Sequence, residues 1–163
     1  MGKFIELKAT DGHKFAAFVA QPAGKPRGGV VVIPEIFGVN SHIQQVTDGF
    51  AADGYLAIAP AMFDRAQRNY DTGYSQPEIE AGVAIMQKLD WKQSMMDVQA
   101  AIAESAKGGK VGIVGYCYGG TVSWMAAARA SGLAATPTWP AEDADAATPS
   151  TSASTATAAT APP

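Results

Sequence analysis

The sequence predicts an α/β fold in which helices pack against a mostly parallel β-sheet. Three short apolar runs, at residues 30–33, 55–59 and 110–114, are each followed by a segment with helical spacing. The first run, Val-Val-Val-Ile, lacks polar alternation, as expected for a strand that is buried on both faces of a parallel sheet. Strands that alternate with helices form βαβ units, and these units build a parallel sheet.

The remaining elements are predicted from turn and capping signals. Two antiparallel strands, at residues 4–8 and 14–20, surround a turn at Asp11 and Gly12. Two helix starts have capping-box spacing, with Ser41 before Gln44 and Ser75 before Glu78. We place the four helices at residues 42–53, 75–89, 91–106 and 122–131.

Composition narrows the class of protein. The chain has 163 residues, 47% of them hydrophobic, which is enough for one domain with a core. A net charge of −3 and the lack of a basic patch predict no nucleic-acid partner. One cysteine excludes an intramolecular disulfide. Residues 1–8 do not resemble a signal peptide, and no apolar run approaches the ~20 residues that a membrane span needs. We therefore expect a soluble cytoplasmic protein with no membrane partner.

The composition changes abruptly at residue 134. Residues 134–163 contain 11 alanines and 7 threonines but no Val, Ile, Leu, Phe, Lys or Arg. Such a segment cannot offset the entropy lost on ordering. We predict a folded domain over residues 1–133 and a disordered tail over residues 134–163. The abrupt junction suggests that a longer coding sequence was shifted out of frame near residue 135, and a natural flexible tail is the alternative.

Residues 115–120, G-Y-C-Y-G-G, stand between an apolar strand and an Ala-rich helix. This pattern has the form of a nucleophile elbow with Cys in place of Ser. A sharp strand-to-helix turn strains its central residue and exposes the side chain, so the crowded flanking positions need glycine, here Gly115 and Gly119. Cys117 would lie at a helix N-terminus, where unpaired N–H groups and the helix dipole favour a thiolate.

Together with residues 35–40, E-I-F-G-V-N, this motif makes the chain similar to the dienelactone hydrolase family, over residues 1–133. The resemblance implies a three-layer α/β-hydrolase fold and cleavage of a small ester or lactone, as by a carboxymethylenebutenolidase. It implies Cys117 as the nucleophile and Glu35 as the acid that pairs with the resting cysteine. The backbone N–H groups of Ile36 and Tyr118 match the oxyanion-hole positions. No cofactor and no metal are implied.

The chain departs from the family in its catalytic base. The family has a Cys-His-Asp triad whose Asp and His follow the elbow, whereas both histidines here, His13 and His42, precede it. We therefore expect little turnover from this chain. The alternative is a non-catalytic, truncated hydrolase core that only binds ligands or self-associates through an exposed sheet edge at the fifth strand.

Simpler interpretations of the same residues stay open at this point. Cys117 could be a buried structural thiol, and Glu35 could be a solvated loop acid. Residues 115–120 could be a degenerate dinucleotide-binding loop, although Cys117 replaces the glycine that would approach a pyrophosphate. Three charged residues after the fourth strand most simply belong to a solvated loop. They are Asp64, Arg65 and Arg68.

Overall fold

A six-stranded, mostly parallel sheet forms the centre of the computed structural model, which describes residues 2–135. The strands are β1 (Lys3–Lys8), β2 (Lys14–Ala20), β3 (Gly29–Ile33), β4 (Leu56–Pro60), β5 (Val111–Gly115) and β6 (Leu133–Ala135). Their spatial order is β1-β2-β4-β3-β5-β6. The first two pairings in this order are antiparallel and the other three are parallel. The predicted α/β class and the five predicted strands are confirmed.

Four α-helices within residues 2–135 cover the two faces of this sheet. They are α1 (Ser41–Ala52), α2 (Gln76–Met86), α3 (Trp91–Ser105) and α4 (Tyr118–Arg129). Successive residues of β3 point to opposite faces, and Val31, Val32 and Ile33 are all fully buried. Val31 packs in the cluster that contains residues of α3 and α4, whereas Val32 packs in the cluster that contains residues of α1. The fold therefore has the predicted three layers.

Helix α1 begins one residue earlier than the capping-box spacing predicts. Asn40 is the N-cap, since its Oδ1 accepts a hydrogen bond of 3.1 Å from the Ile43 N–H. The predicted cap, Ser41, is instead the first helical residue, and the Gln44 side chain donates to the Val39 carbonyl. The Asn40 amide oxygen satisfies the helix terminus, so a capping box is not needed there.

Helix α4 begins at Tyr118, four residues before the predicted start. The prediction was wrong because Gly119 and Gly120 indicate a loop when they are considered alone. In the structure, a Cβ on Gly119 would lie 2.6 Å from the Pro34 carbonyl oxygen. Glycine at this position therefore allows close packing of the first helical turn against the end of β3, rather than breaking the helix.

The edge strand β6 was not predicted. It pairs Leu133 with Val111 and Ala135 with Gly112, with an irregularity in the register between these pairs. The prediction that the fifth strand forms the sheet edge was therefore wrong for the first two residues of β5. Ala134 and Ala135, assigned above to the tail, belong to this strand, and the rest of the predicted tail, residues 136–163, lies outside the described residues. Among residues 2–135 no helix has both the length and the hydrophobicity that a bilayer crossing needs.

Candidate active site

The loops after β3 and β5 lie side by side at one edge of the sheet. The two strands are parallel neighbours, and Ile33 is paired with Gly115 at their carboxyl ends. Glu35 and Cys117 each follow two residues after this pair. In α/β folds this edge is where ligands bind, so the structure brings the two predicted site residues to the expected place.

Cys117 has a strained backbone and an exposed side chain. Its φ is 52° and its ψ is −116°, and only one other non-glycine residue in residues 2–135, Asn69, has a positive φ. A non-glycine residue in such a region is destabilised by about 1–3 kcal/mol. The thiol is free and exposed at the N-cap position of α4. The interpretation of Cys117 as a buried structural thiol is therefore wrong.

Two glycines make this turn sterically feasible. A Cβ on Gly115 would collide with the Gly119 carbonyl and would lie 2.5 Å from Ser123 Oγ. A Cβ on Gly119 would collide with the Ile33 carbonyl. The spacing G-x-C-x-G thus reflects direct backbone packing between the end of β3, the end of β5 and the first turn of α4.

The backbone N–H groups of Ile36 and Tyr118, the predicted oxyanion-hole positions, make no hydrogen bond among the loop contacts of the described residues, and those of Phe37 and Cys117 beside them make none either. The next two N–H groups of the elbow are satisfied, because Gly119 donates to the Tyr116 carbonyl at 2.8 Å and Gly120 donates to the Cys117 carbonyl at 3.0 Å. Free donors of this kind can stabilise a negatively charged oxygen.

Glu35 is half-buried and affects the residue next to the cysteine. The pKa of Tyr116 is raised above its ordinary value, chiefly by burial and in addition by the negative charge of Glu35. The Glu35 carboxylate is therefore near enough to the elbow for its charge to act on the residue before Cys117. The interpretation of Glu35 as a fully solvated loop acid is therefore not supported.

The loop that contains Glu35 and Ile36 is held by the segment before α2. The Phe37 carbonyl accepts a hydrogen bond of 3.1 Å from the Thr72 N–H. The Asn40 amide donates to the Tyr74 hydroxyl at 3.1 Å, and the rings of Phe37 and Tyr74 lie 4.4 Å apart. These contacts link the loop after β3 to a segment that lies more than thirty residues later in the chain.

The side chain of Tyr118 anchors the other loop. It is buried between Phe63 and Trp91, with ring centroids 5.6 and 5.9 Å away. Burial raises the pKa of Tyr118 to about 12, and the charge of Asp97 adds to this effect. Neither its hydroxyl nor that of Ser94 makes a hydrogen bond with favourable geometry among the described residues. The ring packing therefore anchors this residue, since its hydroxyl adds no strong bond.

The sequence analysis missed an ion cluster in which Arg65 pairs with Asp97 and Asp11. Arg65 donates to both carboxylate oxygens of Asp97, at 2.7 and 2.8 Å, and forms an ion pair of 2.8 Å with Asp11. Burial raises the pKa of Asp97, and the arginine opposes this shift. Asp64 is also buried, and it accepts hydrogen bonds from the backbone N–H groups of Ala16 and Asn69. The prediction of a solvated loop was therefore wrong for Asp64 and Arg65.

Neither histidine forms a hydrogen bond with Cys117 in the described part of the chain. His13 stacks on Phe15 with ring centroids 5.8 Å apart, and its buried Nε2 has no partner there. His42 is exposed in the first turn of α1. Within residues 2–135 no group of three His, Cys, Asp or Glu side chains is arranged to hold a metal ion.

Comparison with known proteins decides the family. A sequence model described as the dienelactone hydrolase family matches residues 15–162. The chain belongs to the dienelactone hydrolase family. This is a family of hydrolytic enzymes, and the match covers both the Glu35 loop and the Cys117 elbow. Membership also excludes the alternative of a degenerate dinucleotide-binding loop.

Individual relatives agree with this assignment. The chain is 32% identical over 130 residues to the carboxymethylenebutenolidase of Pseudomonas putida, covering 77% of this chain and 55% of that protein. It is 38% identical over 120 residues to a Synechocystis protein named provisionally as a carboxymethylenebutenolidase, covering 70% of this chain and 49% of the relative. The chain thus spans about half the length of these curated relatives.

A solved structure has the same fold. A crystal structure from Klebsiella pneumoniae, named provisionally as a dienelactone hydrolase, superimposes with a TM-score of 0.67 at 27% identity. The superposition covers 82% of this chain and 58% of that chain. The predicted α/β-hydrolase fold is therefore confirmed.

Proposed function

We propose that this protein attacks small esters or lactones, of the kind that carboxymethylenebutenolidases cleave, through the thiolate of Cys117. The observation that supports this most strongly is the exposed thiol at a positive φ in the turn between β5 and α4. A structural cysteine needs neither exposure nor strain, whereas a nucleophile that must reach a bound carbonyl benefits from both.

The chemistry would proceed in two stages. The thiolate sulfur attacks the carbonyl carbon and forms a tetrahedral oxyanion, which accepts hydrogen bonds from the Ile36 and Tyr118 N–H groups. The intermediate then expels the alcohol oxygen, which takes a proton, and leaves an acyl thioester on Cys117. Water hydrolyses the thioester, which releases the carboxylic acid and restores the thiol.

Glu35 would pair with the resting cysteine and move away when the substrate binds. Support comes from its half-buried position on the neighbouring loop and from its effect on Tyr116. This pairing would occupy the resting thiol until a substrate displaces the carboxylate. Such an arrangement protects an exposed thiol from oxidation between turnovers.

The second stage would be slow in this chain. Water attack on a thioester needs a general base, and neither His13 nor His42 forms a hydrogen bond with Cys117 in the described part of the chain. We therefore propose that acylation is retained while turnover is weak, since an oxyanion hole and a nucleophile keep partial catalysis when a triad member is missing.

Rapid mixing with p-nitrophenyl acetate tests this proposal. We expect a burst of about one equivalent of p-nitrophenolate from the 163-residue chain, followed by slow release. The Cys117→Ala variant should show no burst. Equal release from both proteins would reject catalysis by Cys117. Fast steady release after the burst would reject the proposal that the chain lacks a general base for thioester hydrolysis.

The second candidate is a non-catalytic core that binds ligands or self-associates through the sheet edge. One observation favours it: within residues 2–135, β6 pairs with only Val111 and Gly112, so the second half of β5 has no strand on that side. Light scattering after size-exclusion chromatography should then show a mass that rises with protein concentration. A monomer at all concentrations, with a cooperative melt, would contradict self-association.

A further inference from the structure

Helix α2 crosses directly over the peptide that follows Ile36. A Cβ on Gly82 would lie 2.5 Å from the Ile36 carbonyl oxygen and 3.3 Å from both its carbonyl carbon and its Cβ. Gly82 is buried, and its φ is not in the positive region that favours glycine. Glycine in a helix interior is about 1 kcal/mol less favourable than alanine. Its presence in α2 is therefore explained by the close approach of the two backbones.

The start of the same helix is tied to the same loop. Glu78 Oε1 accepts hydrogen bonds of 3.0 Å from the Thr72 hydroxyl and the Gly73 N–H. Thr72 in turn donates its N–H to the Phe37 carbonyl at 3.1 Å. Helix α2 thus contacts the loop twice, through Gly82 above Ile36 and through Glu78 and Thr72 beside Phe37.

We propose that Gly82 is a positioning residue, whose missing side chain lets α2 hold the Ile36 amide in the geometry that stabilises the oxyanion. This inference rests on the proposed function. Glu78 supports the same loop through its bonds to Thr72 and Gly73, beside Phe37. Both residues would act on the reaction through this loop.

The steric consequence of a methyl group at this position is large. Non-bonded carbon and oxygen atoms rest at more than 3 Å, so a methyl group at 2.5 Å must displace the Ile36 carbonyl, in the peptide between Ile36 and Phe37, by roughly 0.5–1 Å. The atom it meets belongs to the backbone and cannot rotate away as a side chain could. The Ile36 N–H belongs to the preceding peptide and is joined to this carbonyl through the Ile36 Cα, so the displacement reaches the donor as well. Oxyanion stabilisation depends on donors that are fixed about 3 Å from the developing charge, so a shift of this size weakens it.

The test compares two reactions of the same thiol in the full 163-residue chain. Acylation of Cys117 by p-nitrophenyl acetate passes through an oxyanion. Alkylation by iodoacetamide forms the S–C bond as iodide leaves, and no oxyanion develops. We expect Gly82→Ala to lower the acylation rate about tenfold or more and to leave the alkylation rate within about twofold of the parent.

Gly49→Ala is the matched control. Gly49 also lies inside a helix, α1, but a Cβ there would have no neighbour within 4 Å. This variant should keep both rates and gain stability. Equal acylation in Gly82→Ala and the parent would overturn the inference, as would an equal fall in acylation and alkylation. If the parent shows no Cys117-dependent acylation at all, the proposed function fails, and the inference fails with it.

If Gly82→Ala does not fold, a second variant tests the positioning role of α2. Glu78→Gln adds no volume but weakens the bonds to Thr72 and Gly73, because a neutral amide oxygen is a poorer acceptor than a carboxylate. We expect the same selective loss of acylation, by about threefold. Unchanged acylation in this variant would overturn the positioning role of α2.

Discussion

Arg65 holds Asp97 through two hydrogen bonds of 2.7 and 2.8 Å, and this pair joins the loop after β4 to helix α3. The carboxylate side chain is 1% exposed and that of the arginine 11%. Removal of one partner from a buried pair leaves the other charge without compensation. The pair therefore contributes to the stability of the fold, although neither residue is close to Cys117 in the sequence.

We expect Asp97→Asn to lower the free energy of unfolding by about 3 kcal/mol, because Arg65 would keep only Asp11 as a charged partner. Urea unfolding followed by circular dichroism measures the change. Asp53→Asn is the control, since Asp53 is exposed, and its effect should stay within about 0.5 kcal/mol. Equal losses in the two variants would show that the Arg65–Asp97 pair contributes little.

The strain at Cys117 can be measured apart from its chemistry. Cys117→Gly and Cys117→Ala both remove the nucleophile, but only glycine adopts a φ of 52° and a ψ of −116° without steric cost. We expect the glycine variant to be more stable than the alanine variant by about 1–3 kcal/mol, as measured by chemical unfolding. If alanine is as stable as glycine, the backbone of the turn is not strained.

The burial of Tyr118 predicts a loss of stability at alkaline pH. Its folded pKa is raised to about 12, chiefly by burial, from an ordinary value of 10.0. Between these values the unfolded state releases the phenol proton while the folded state retains it, so the free energy of unfolding falls as pH rises, by about 1.4 kcal/mol per pH unit. Below the lower value both states are protonated and Tyr118 adds no pH dependence.

The measurement for this prediction is urea unfolding at about pH 9 and about pH 11. We expect the parent to lose about 1 kcal/mol more than Tyr118→Phe between these conditions, because phenylalanine cannot titrate. At the lower pH Tyr118→Phe should be at least as stable as the parent, since the buried hydroxyl lacks a partner among the described residues and its desolvation cost disappears in the variant. Parallel losses in both proteins would contradict the raised pKa.

The parts of the fold that depend on local patterns could be predicted from the sequence. The buried strand β3 follows from its uninterrupted apolar run, and α2 begins after Ser75 as its capping spacing predicts. The turn around Cys117 was predictable because steric crowding leaves few residue types that fit between a strand and a helix. The resemblance of this motif to the family then predicted that Glu35, after the third strand, pairs with Cys117.

The parts that depend on contacts between distant residues could not be predicted. Arg65 and Asp97 are 32 positions apart, and nothing local distinguishes them from solvated charges. Gly82 looks like a weak point in a helix until the Ile36 carbonyl is placed beside it. Strand β6 has only three residues, of which Ala134 and Ala135 have low β-propensity, so its formation depends on the adjacent edge of β5.

Mass spectrometry of the protein after brief exposure to p-nitrophenyl acetate tests the central claim most directly. The account predicts one acetyl group for each chain, located by peptide mapping on Cys117 and released by hydroxylamine at neutral pH, as a thioester should be. Acetylation spread over lysines with an unmodified Cys117 would contradict the assignment of this thiol as the nucleophile.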